Sequence, residues 1–371
     1  MNWLVIATAA PGFVFGLAML WAAWRTIDAL DNLSDVAIEG RETWPTLSFI
    51  SPACNEEAVI EASLRSVLSG HYPALEVVAI DDRSEDRTGE IIDALAADDE
   101  RLRAVHIKEL PEGWLGKLNA MARGVEVASG QWLLFADADV VFSEHALQRA
   151  IVYAESKGLD YLTLFPGIES SNLWVDAIFS ALPALLLPAA RPWSVRDPDS
   201  RAVLGGGAFV LIRRSAYDAG PGLEWMRLDV ADDQTLCQLI KREGGQCDVV
   251  NGCDEVKLVW YSSVGEMAAM MQKGLYVCVA RFSLLKGIAV SLVLSYIALF
   301  PLLALVPGTG WAAALPLVGL VSMVVATLVV SAWGKRPWLP SLFFGVGLLL
   351  VAAMVTWSSV VGWRIGGITW R

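Results

Sequence analysis

Four long apolar runs bracket a chain whose middle alternates short apolar segments with amphipathic ones. The first run, Asn2 to Trp24, carries no charge and is long enough to cross about 30 Å of hydrocarbon. It lacks a basic start and a small-residue cleavage site, so it reads as a retained anchor rather than a signal peptide. Three further runs follow near the other end: Ile288 to Val306, Trp311 to Trp333, and Leu339 to Trp363. Pro307-Gly308-Thr309-Gly310 makes an uncharged turn between the first two, and the basic Gly334-Lys335-Arg336-Pro337 separates the second and third. Cationic loops stay on the cytoplasmic side. Arg25, Lys286, Lys335 and Arg336 therefore predict four spans with the middle of the chain inside the cell. Arg364 and Arg371 then fall outside, against that rule. Trp311, Trp333, Trp338, Trp357, Trp363 and Trp370 lie at or near the span ends, as an aromatic belt does.

The middle region changes period. Leu47 to Ile50, Val77 to Ile80, Leu102 to Ile107 and Gln131 to Phe135 are short apolar segments that predict strands. Glu56 to Ser69, Thr88 to Ala97 and Leu118 to Ser129 have helical spacing, with Val59, Ile60, Leu64, Val67 and Leu68 on one face of the first. This alternation predicts an α/β fold with a parallel sheet covered on both faces. Residues 173–193 stand apart. They are apolar but broken by Pro183, Pro188 and Pro192. That interruption argues against a span and leaves two readings, an interfacial segment on the membrane surface or a buried loop and helix of the soluble region.

Composition agrees with a membrane protein that has a large polar domain. The 371 residues are 55% hydrophobic, and mean hydropathy is +0.49. A formal net charge of -12 argues against a nucleic-acid partner. The five cysteines have no metal spacing and read as reduced thiols, although Cys247 and Cys253 could pair. His71, His106 and His145 are scattered and make no metal cluster.

The candidate chemistry lies at strand ends. Trp132-Leu133-Leu134-Phe135 stops on Asp137-Ala138-Asp139, and Leu75 to Ile80 stops on Asp81-Asp82. The rim of an open α/β sheet is where ligands bind, and paired carboxylates suit a divalent ion that also holds substrate phosphates. Asp82 could instead cap the helix near Thr88, and the Asp137–Asp139 turn could be a solvated one before a helix capped by Ser143. Asp232-Asp233 precedes a helix ended by Gly244-Gly245. It reads either as helix capping or as a general base at a helix opening. Gly205-Gly206-Gly207 leads into an apolar strand and admits either a close ligand or a tight turn. Lys117, after the glycine- and tryptophan-bearing loop Pro111 to Gly116, could meet phosphate oxygens.

Together these segments resemble a membrane-bound family 2 glycosyltransferase, nearest to bacterial enzymes that glycosylate hopanoids, carotenoids and ceramides. The matching residues are Pro52-Ala53-Cys54-Asn55-Glu56-Glu57, Ile80-Asp81-Asp82-Arg83-Ser84, Gly113-Trp114-Leu115-Gly116-Lys117, Phe135 to Asp139, Gly206 to Arg214, and Asp232-Asp233. The resemblance runs over about residues 45 to 285. It implies a GT-A-type mixed sheet with flanking helices. The domains would be an N-terminal anchor (1–25), a cytoplasmic GT-A domain (26–285) and a C-terminal region of three membrane helices (286–371). It implies that Asp82, Asp137, Lys117, Glu56 and Gly206 bind the nucleotide-sugar, that Asp139 coordinates Mg²⁺ or Mn²⁺, and that Asp233 is the base. Asp232, Gln272 and Arg281 fall on the acceptor side. The chain departs from the family twice. Asp232-Asp233 stands for the usual Glu-Asp pair, and Gln272-Lys273-Gly274-Leu275-Tyr276 replaces QxxRW.

The resemblance therefore implies an inverting enzyme of the bacterial inner membrane with its catalytic domain facing the cytoplasm. The donor would be a nucleotide-sugar, typically UDP-hexose. The acceptor would be a hydroxyl of a lipid in the bilayer: hopanoid, ceramide, carotenoid or diacylglycerol. Two alternatives are a polyprenyl-phosphate glycosyltransferase, whose ionised acceptor needs no base, and a non-catalytic nucleotide-binding membrane scaffold.

Overall fold

The computed structural model describes residues 2–38, 40–259 and 261–367; the tail residues Trp370 and Arg371 lie outside these. In chain order the elements are α1 (Asn2–Ala29), β1 (Leu47–Ala53), α2 (Ile60–Leu68), β2 (Leu75–Asp82), α3 (Thr88–Asp98), β3 (Leu102–Ile107), α4 (Gly116–Val127), β4 (Trp132–Phe135) and β5 (Val140–Phe142). There follow α5 (Ala146–Ser156), β6 (Tyr161–Phe165), β7 (Gly167–Glu169), α6 (Leu173–Ala190), β8 (Val210–Arg213), α7 (Arg214–Ala219), α8 (Asp232–Arg242), β9 (Cys247–Asn251) and β10 (Val256–Val259). The last four helices are α9 (Val264–Gly274), α10 (Leu284–Leu299), α11 (Ala314–Trp333) and α12 (Phe344–Ile365).

These elements form two compact units. One consists of Leu30–Ile168 and Pro192–Val259. Its main sheet has seven strands in the order β3-β2-β1-β4-β8-β6-β9. The four predicted strands are all present and run parallel, with Leu47 beside both Leu75 and Trp132. The sheet is mixed because β8, which follows the glycine run, lies antiparallel between β4 and β6. Strands buried on both faces need apolar side chains throughout. Phe49, Trp132, Tyr161 and Phe209 are accordingly buried in the core. A second sheet of three strands, β5-β10-β7, completes this fold.

Strand order fixes where a site can form. From β1 the chain moves outward to β2 and β3, then returns to place β4 on the other side of β1. The crevice beyond the carboxyl ends of β1 and β4 is thus the switch point at which such sheets bind ligands. Helix α4 crosses over β1 and β2 with Gly124 directly against Ile50 and Ile80. A side chain there would drive helix and sheet apart.

The predicted helices form with shifted ends. Glu56 to Val59 make a turn that hands over to α2 only at Ile60, because Val59 and Ile60 both donate to the Glu56 carbonyl. Ser143 does not cap a helix. Its hydroxyl is taken by Glu255, and α5 begins at Ala146. Helix α8 starts at Asp232, so both acids lie in its first turn. No disulfide joins any of the five cysteines.

The other unit is drawn from Met1–Ala29, Glu169–Arg191 and Trp260–Trp370. Among the described residues, five of its helices are long and apolar enough to cross a membrane, one more than the sequence pattern predicts. The additional one covers residues 173–193 and corrects one expectation about them, that the prolines interrupt the segment. The prolines do not break this segment. α6 runs unbroken from Leu173 to Ala190 with Pro183 and Pro188 inside it, and it packs against α1, α11 and α12. Neighbouring helices can absorb what each proline costs the backbone. The Asn172 side chain caps the start by accepting from Trp174 and Val175. Asp176, near that start, is buried and meets the Arg336 guanidinium at 3.1 Å. Trp311, Trp338 and Trp363 are exposed near helix ends.

Replacing Gly124 with alanine should destabilise the sheet unit by about 1–3 kcal/mol through overpacking. A lowered thermal midpoint in detergent checks this; an unchanged midpoint contradicts the close packing of α4.

Candidate functional site

The site is assembled around one ammonium. Lys117, in the first turn of α4, lies 2.8 Å from an Asp137 oxygen and 3.2 Å from an Asp232 oxygen. Asp137 follows β4, and Asp232 opens α8. Burial alone would lower the lysine pKa, but the charges of Asp137 and Asp232 overcome this and raise it. The ammonium is therefore fixed in its charged form.

The glycine run makes this convergence possible. A Cβ on Gly207 would strike the Asp137 carboxylate, and one on Gly205 would strike the Asp233 backbone. The close approach at these two glycines is thus by the protein's own acids. A Cβ on Gly206 between them would meet only the Leu164 carbonyl at 3.7 Å and the Thr163 hydroxyl at 3.9 Å. Asp137 N–H also donates to the Gly207 carbonyl at 3.0 Å. The Tyr161 hydroxyl donates to the carbonyls of Leu204 (3.1 Å) and Asp233 (3.2 Å), which pins α8 to the glycine run.

Around this centre negative charge is only partly compensated. Burial, then the neighbouring Asp139 and Asp137 charges, push the Glu56 carboxyl up to about 7. Burial and Asp137 push Asp139 up to about 6. Burial and Asp232 do the same to Asp233, also to about 6, although Lys117 opposes the rise. Such crowding marks a place where a cation is welcome. Among the described residues, however, no three His, Cys, Asp or Glu side chains converge closely enough to hold a metal ion alone. Mg²⁺ ions are commonly held by one or two carboxylates together with substrate phosphates, and Asp137 with Asp139 fits that donor set. A cavity of about 10 Å³ lies beside Lys117, lined by Pro52, Asp137, Gly207 and Asp233 among others. That is room for about one water molecule.

Asp82 ends β2. It is buried, and a Cβ on Gly116, the residue before Lys117, would strike its carboxylate. Both its oxygens are held by the next residue, with Arg83 Nε at 2.8 Å and Nη2 at 3.0 Å. Arg83 adopts a left-handed backbone, φ +59°, which folds its side chain back. Asp86, rather than Asp82, holds the start of α3 by accepting from Thr88 N at 2.9 Å. Glu56 N–H donates to the Thr88 hydroxyl at 2.7 Å, so the exits of β1 and β2 are tied together. The sequence reading assigned no role to Arg83 or Tyr161. The Asp82-Arg83 adjacency was a readable signal for the first; nothing local signalled the second.

Gln272 and Arg281 belong to the helical unit, not to the unit that carries the acids. The Gln272 carbonyl accepts from Ser358, and its side-chain nitrogen is buried without a partner. Leu275 and Tyr276, standing where Arg-Trp would be, are buried in a π-helical turn, and Tyr276 lies against Gly362. Arg281 has a left-handed backbone, φ +47°.

Residues 48–216 match the family described as Glycosyl transferase family 2. The chain carries a family 2 glycosyltransferase domain. The domain resembles probable glycosyltransferase YdaM of Bacillus subtilis, 32% identical over 103 residues, which is 27% of this chain and 24% of that protein. It also resembles the GalNAc(5)-diNAcBac-PP-undecaprenol beta-1,3-glucosyltransferase of Campylobacter jejuni, 30% identical over 95 residues, 26% of this chain and 30% of that one. The match thus spans about a quarter to a third of these relatives' own length. Among solved structures, the mannosyltransferase PcManGT from Pyrobaculum calidifontis, in complex with GDP-Man and Mn²⁺, covers 96% of this chain and 98% of its own. Its TM-score is 0.56 at 18% identity, a likeness that shows a shared GT-A-type fold.

Replacing Lys117 with methionine leaves Asp137 and Asp232 facing each other without their cation. We expect a loss of about 1–3 kcal/mol, reduced from the fully buried figure because a third of the side chain meets solvent. Mn²⁺ should then raise the thermal midpoint of the variant more than that of the parent. Equal shifts would contradict the electrostatic account.

Proposed function

We propose that this chain transfers a hexose from a nucleotide-sugar, UDP-linked, to a hydroxyl of a membrane lipid, with inversion at the anomeric carbon. The observation that carries the reading is the placement of Asp233. It lies in the first turn of α8, on the helix that also presents Asp232 to Lys117. Its carboxyl is raised to about 6, which suits a base working near neutral pH. The five apolar helices give the chain a means of residing where a lipid acceptor lies. The undecaprenol-linked substrate named for the Campylobacter jejuni relative supports an acceptor of lipid character.

Each residue then has a task. Asp233 removes the proton of the attacking hydroxyl, an effect of roughly 10²–10⁴-fold in general-base catalysis. Lys117 exchanges its carboxylate partners for the diphosphate as that group leaves. Asp82, with Arg83, meets the base or ribose. Gly206 offers backbone without a side chain beside the sugar, and Glu56 lines the same crevice. Asp139 with Asp137 would hold Mg²⁺ or Mn²⁺, which when bound supplies positive charge against the diphosphate. Asp232, Gln272 and Arg281 are assigned to the acceptor side. The working location is the bacterial inner membrane, with the sheet unit in the cytoplasm.

Asp233→Asn should abolish sugar transfer while leaving binding of UDP with Mn²⁺ within about twofold, measured by glycolipid mass spectrometry and isothermal titration. Full activity in this variant would overturn the base assignment and favour an acceptor that is already ionised, such as a polyprenyl phosphate. Failure of the parent to bind UDP with Mn²⁺ would remove the donor reading itself.

The pH profile gives a further check. Asp233 works only when ionised, so kcat/KM should fall as pH drops through about 6. Asp232 raises the Asp233 pKa, so Asp232→Asn should move that limb to lower pH; movement to higher pH contradicts the assignment.

A further inference from the structure

A second cleft opens on the sheet unit, on a face of α4 distinct from the one that carries Lys117. Its volume is about 630 Å³, within the roughly 300–1,000 Å³ typical of small-molecule sites. Asn119, Ala122, Arg123 and Glu126, spaced three and four residues apart, form one wall. Arg214 and Tyr217 of α7, with Leu223 and Glu224, form the facing wall, and Trp114 stands at the rim.

Three features point to an occupant. First, Asn119 is only 3% exposed, yet its side-chain nitrogen has no hydrogen-bond partner. A buried amide without a partner costs about 1–3 kcal/mol, and the cleft is the space this residue borders. Second, the charge of the lining balances. Arg123 is paired with Glu126 at 2.9 Å. Arg214 spends its donors on the Gly130 and Ala128 carbonyls, at 3.1 Å and 2.6 Å, and Glu224 offsets its charge. A cleft whose lining carries no net charge is a poor site for phosphate. Third, the half-buried Trp114 and the buried Tyr217 bring aromatic surface to the same space.

An amide, an ion pair and aromatic rings together suit a ligand whose polar groups both donate and accept while its carbon skeleton is apolar. We propose that this cleft binds a neutral sugar, a pyranoside, at a site separate from the donor crevice. The cleft shares two chain segments with that crevice. Trp114 precedes Lys117 by three residues, and Leu223–Glu224 lead towards Asp232-Asp233. Leu115 N–H binds the Arg227 carbonyl at 2.8 Å, which joins the two segments. A sugar held here rests on the same backbone that positions the lysine and the base.

The test is saturation-transfer NMR on the full chain in a sugar-free detergent. The probes are methyl pyranosides of glucose, galactose, mannose and N-acetylglucosamine, with inorganic phosphate and UDP as controls. We expect at least one pyranoside to bind and to remain bound when UDP and Mn²⁺ saturate the donor crevice. Asn119→Ala and Arg123→Ala should each weaken it about tenfold while UDP binding stays intact. Should Asn119→Ala lose UDP binding and so fail to fold, the exposed Arg123 variant decides. The proposal is overturned if no pyranoside binds to protein that binds UDP. Displacement of the sugar by UDP, indifference to both substitutions, or a preference for phosphate would each overturn it too. The result is independent of the transfer reaction, since UDP binding reports on that reading separately.

Discussion

Like charges repel, and this sheet rim collects several carboxylates. What allows Asp137 and Asp232 to share it is the Lys117 ammonium between them, 2.8 Å from one and 3.2 Å from the other. The two acids reach the rim from opposite directions, one on the exit of β4 and one on the opening of α8. Neither approach is sterically possible without the small residues of the glycine run, because side chains at positions 205 and 207 would occupy the same volume. Electrostatics and smallness thus act together. The lysine supplies the attraction, and the glycines remove the obstruction. Tyr161 then locks the arrangement by bridging Leu204 and Asp233 through its hydroxyl.

Much of this was legible in the chain. Strands β1, β2 and β4 are largely buried, so they read as apolar runs, β2 and β4 lead into acids, and the parallel order follows from the helices between them. The antiparallel strand β8 was visible only as an apolar segment, since pairing direction depends on contacts with β4 and β6 that no local pattern encodes. The acids at 82, 137, 139 and 233 stood out because carboxylates at strand and helix ends are costly to gather. The clamp of Arg83 on Asp82 went unread because it needs a left-handed backbone at a residue other than glycine. The cleft beside Asn119 was equally hidden, since its walls come from segments nearly a hundred residues apart.

The expectation that prolines break residues 173–193 failed for an instructive reason. Proline is a strong breaker in an isolated helix, and two prolines inside one segment read as an interruption. Within a bundle the balance changes. Neighbouring helices surround α6, and the backbone carbonyls that the prolines free can be satisfied without unwinding. Sequence rules calibrated on helices in water therefore undercount segments of this kind.

The pair between Asp176 and Arg336 carries a consequence for biogenesis. The two residues are separated by 160 positions, so the acid emerges from the ribosome long before its counter-charge. At about 5–20 residues per second the interval is roughly 8–30 s. During it, the Asp176 carboxylate has no counter-charge from Arg336. The pair that satisfies the buried Asp176 cannot form until the loop after α11 has been made, so the packing of α6 in this unit has a built-in order of assembly.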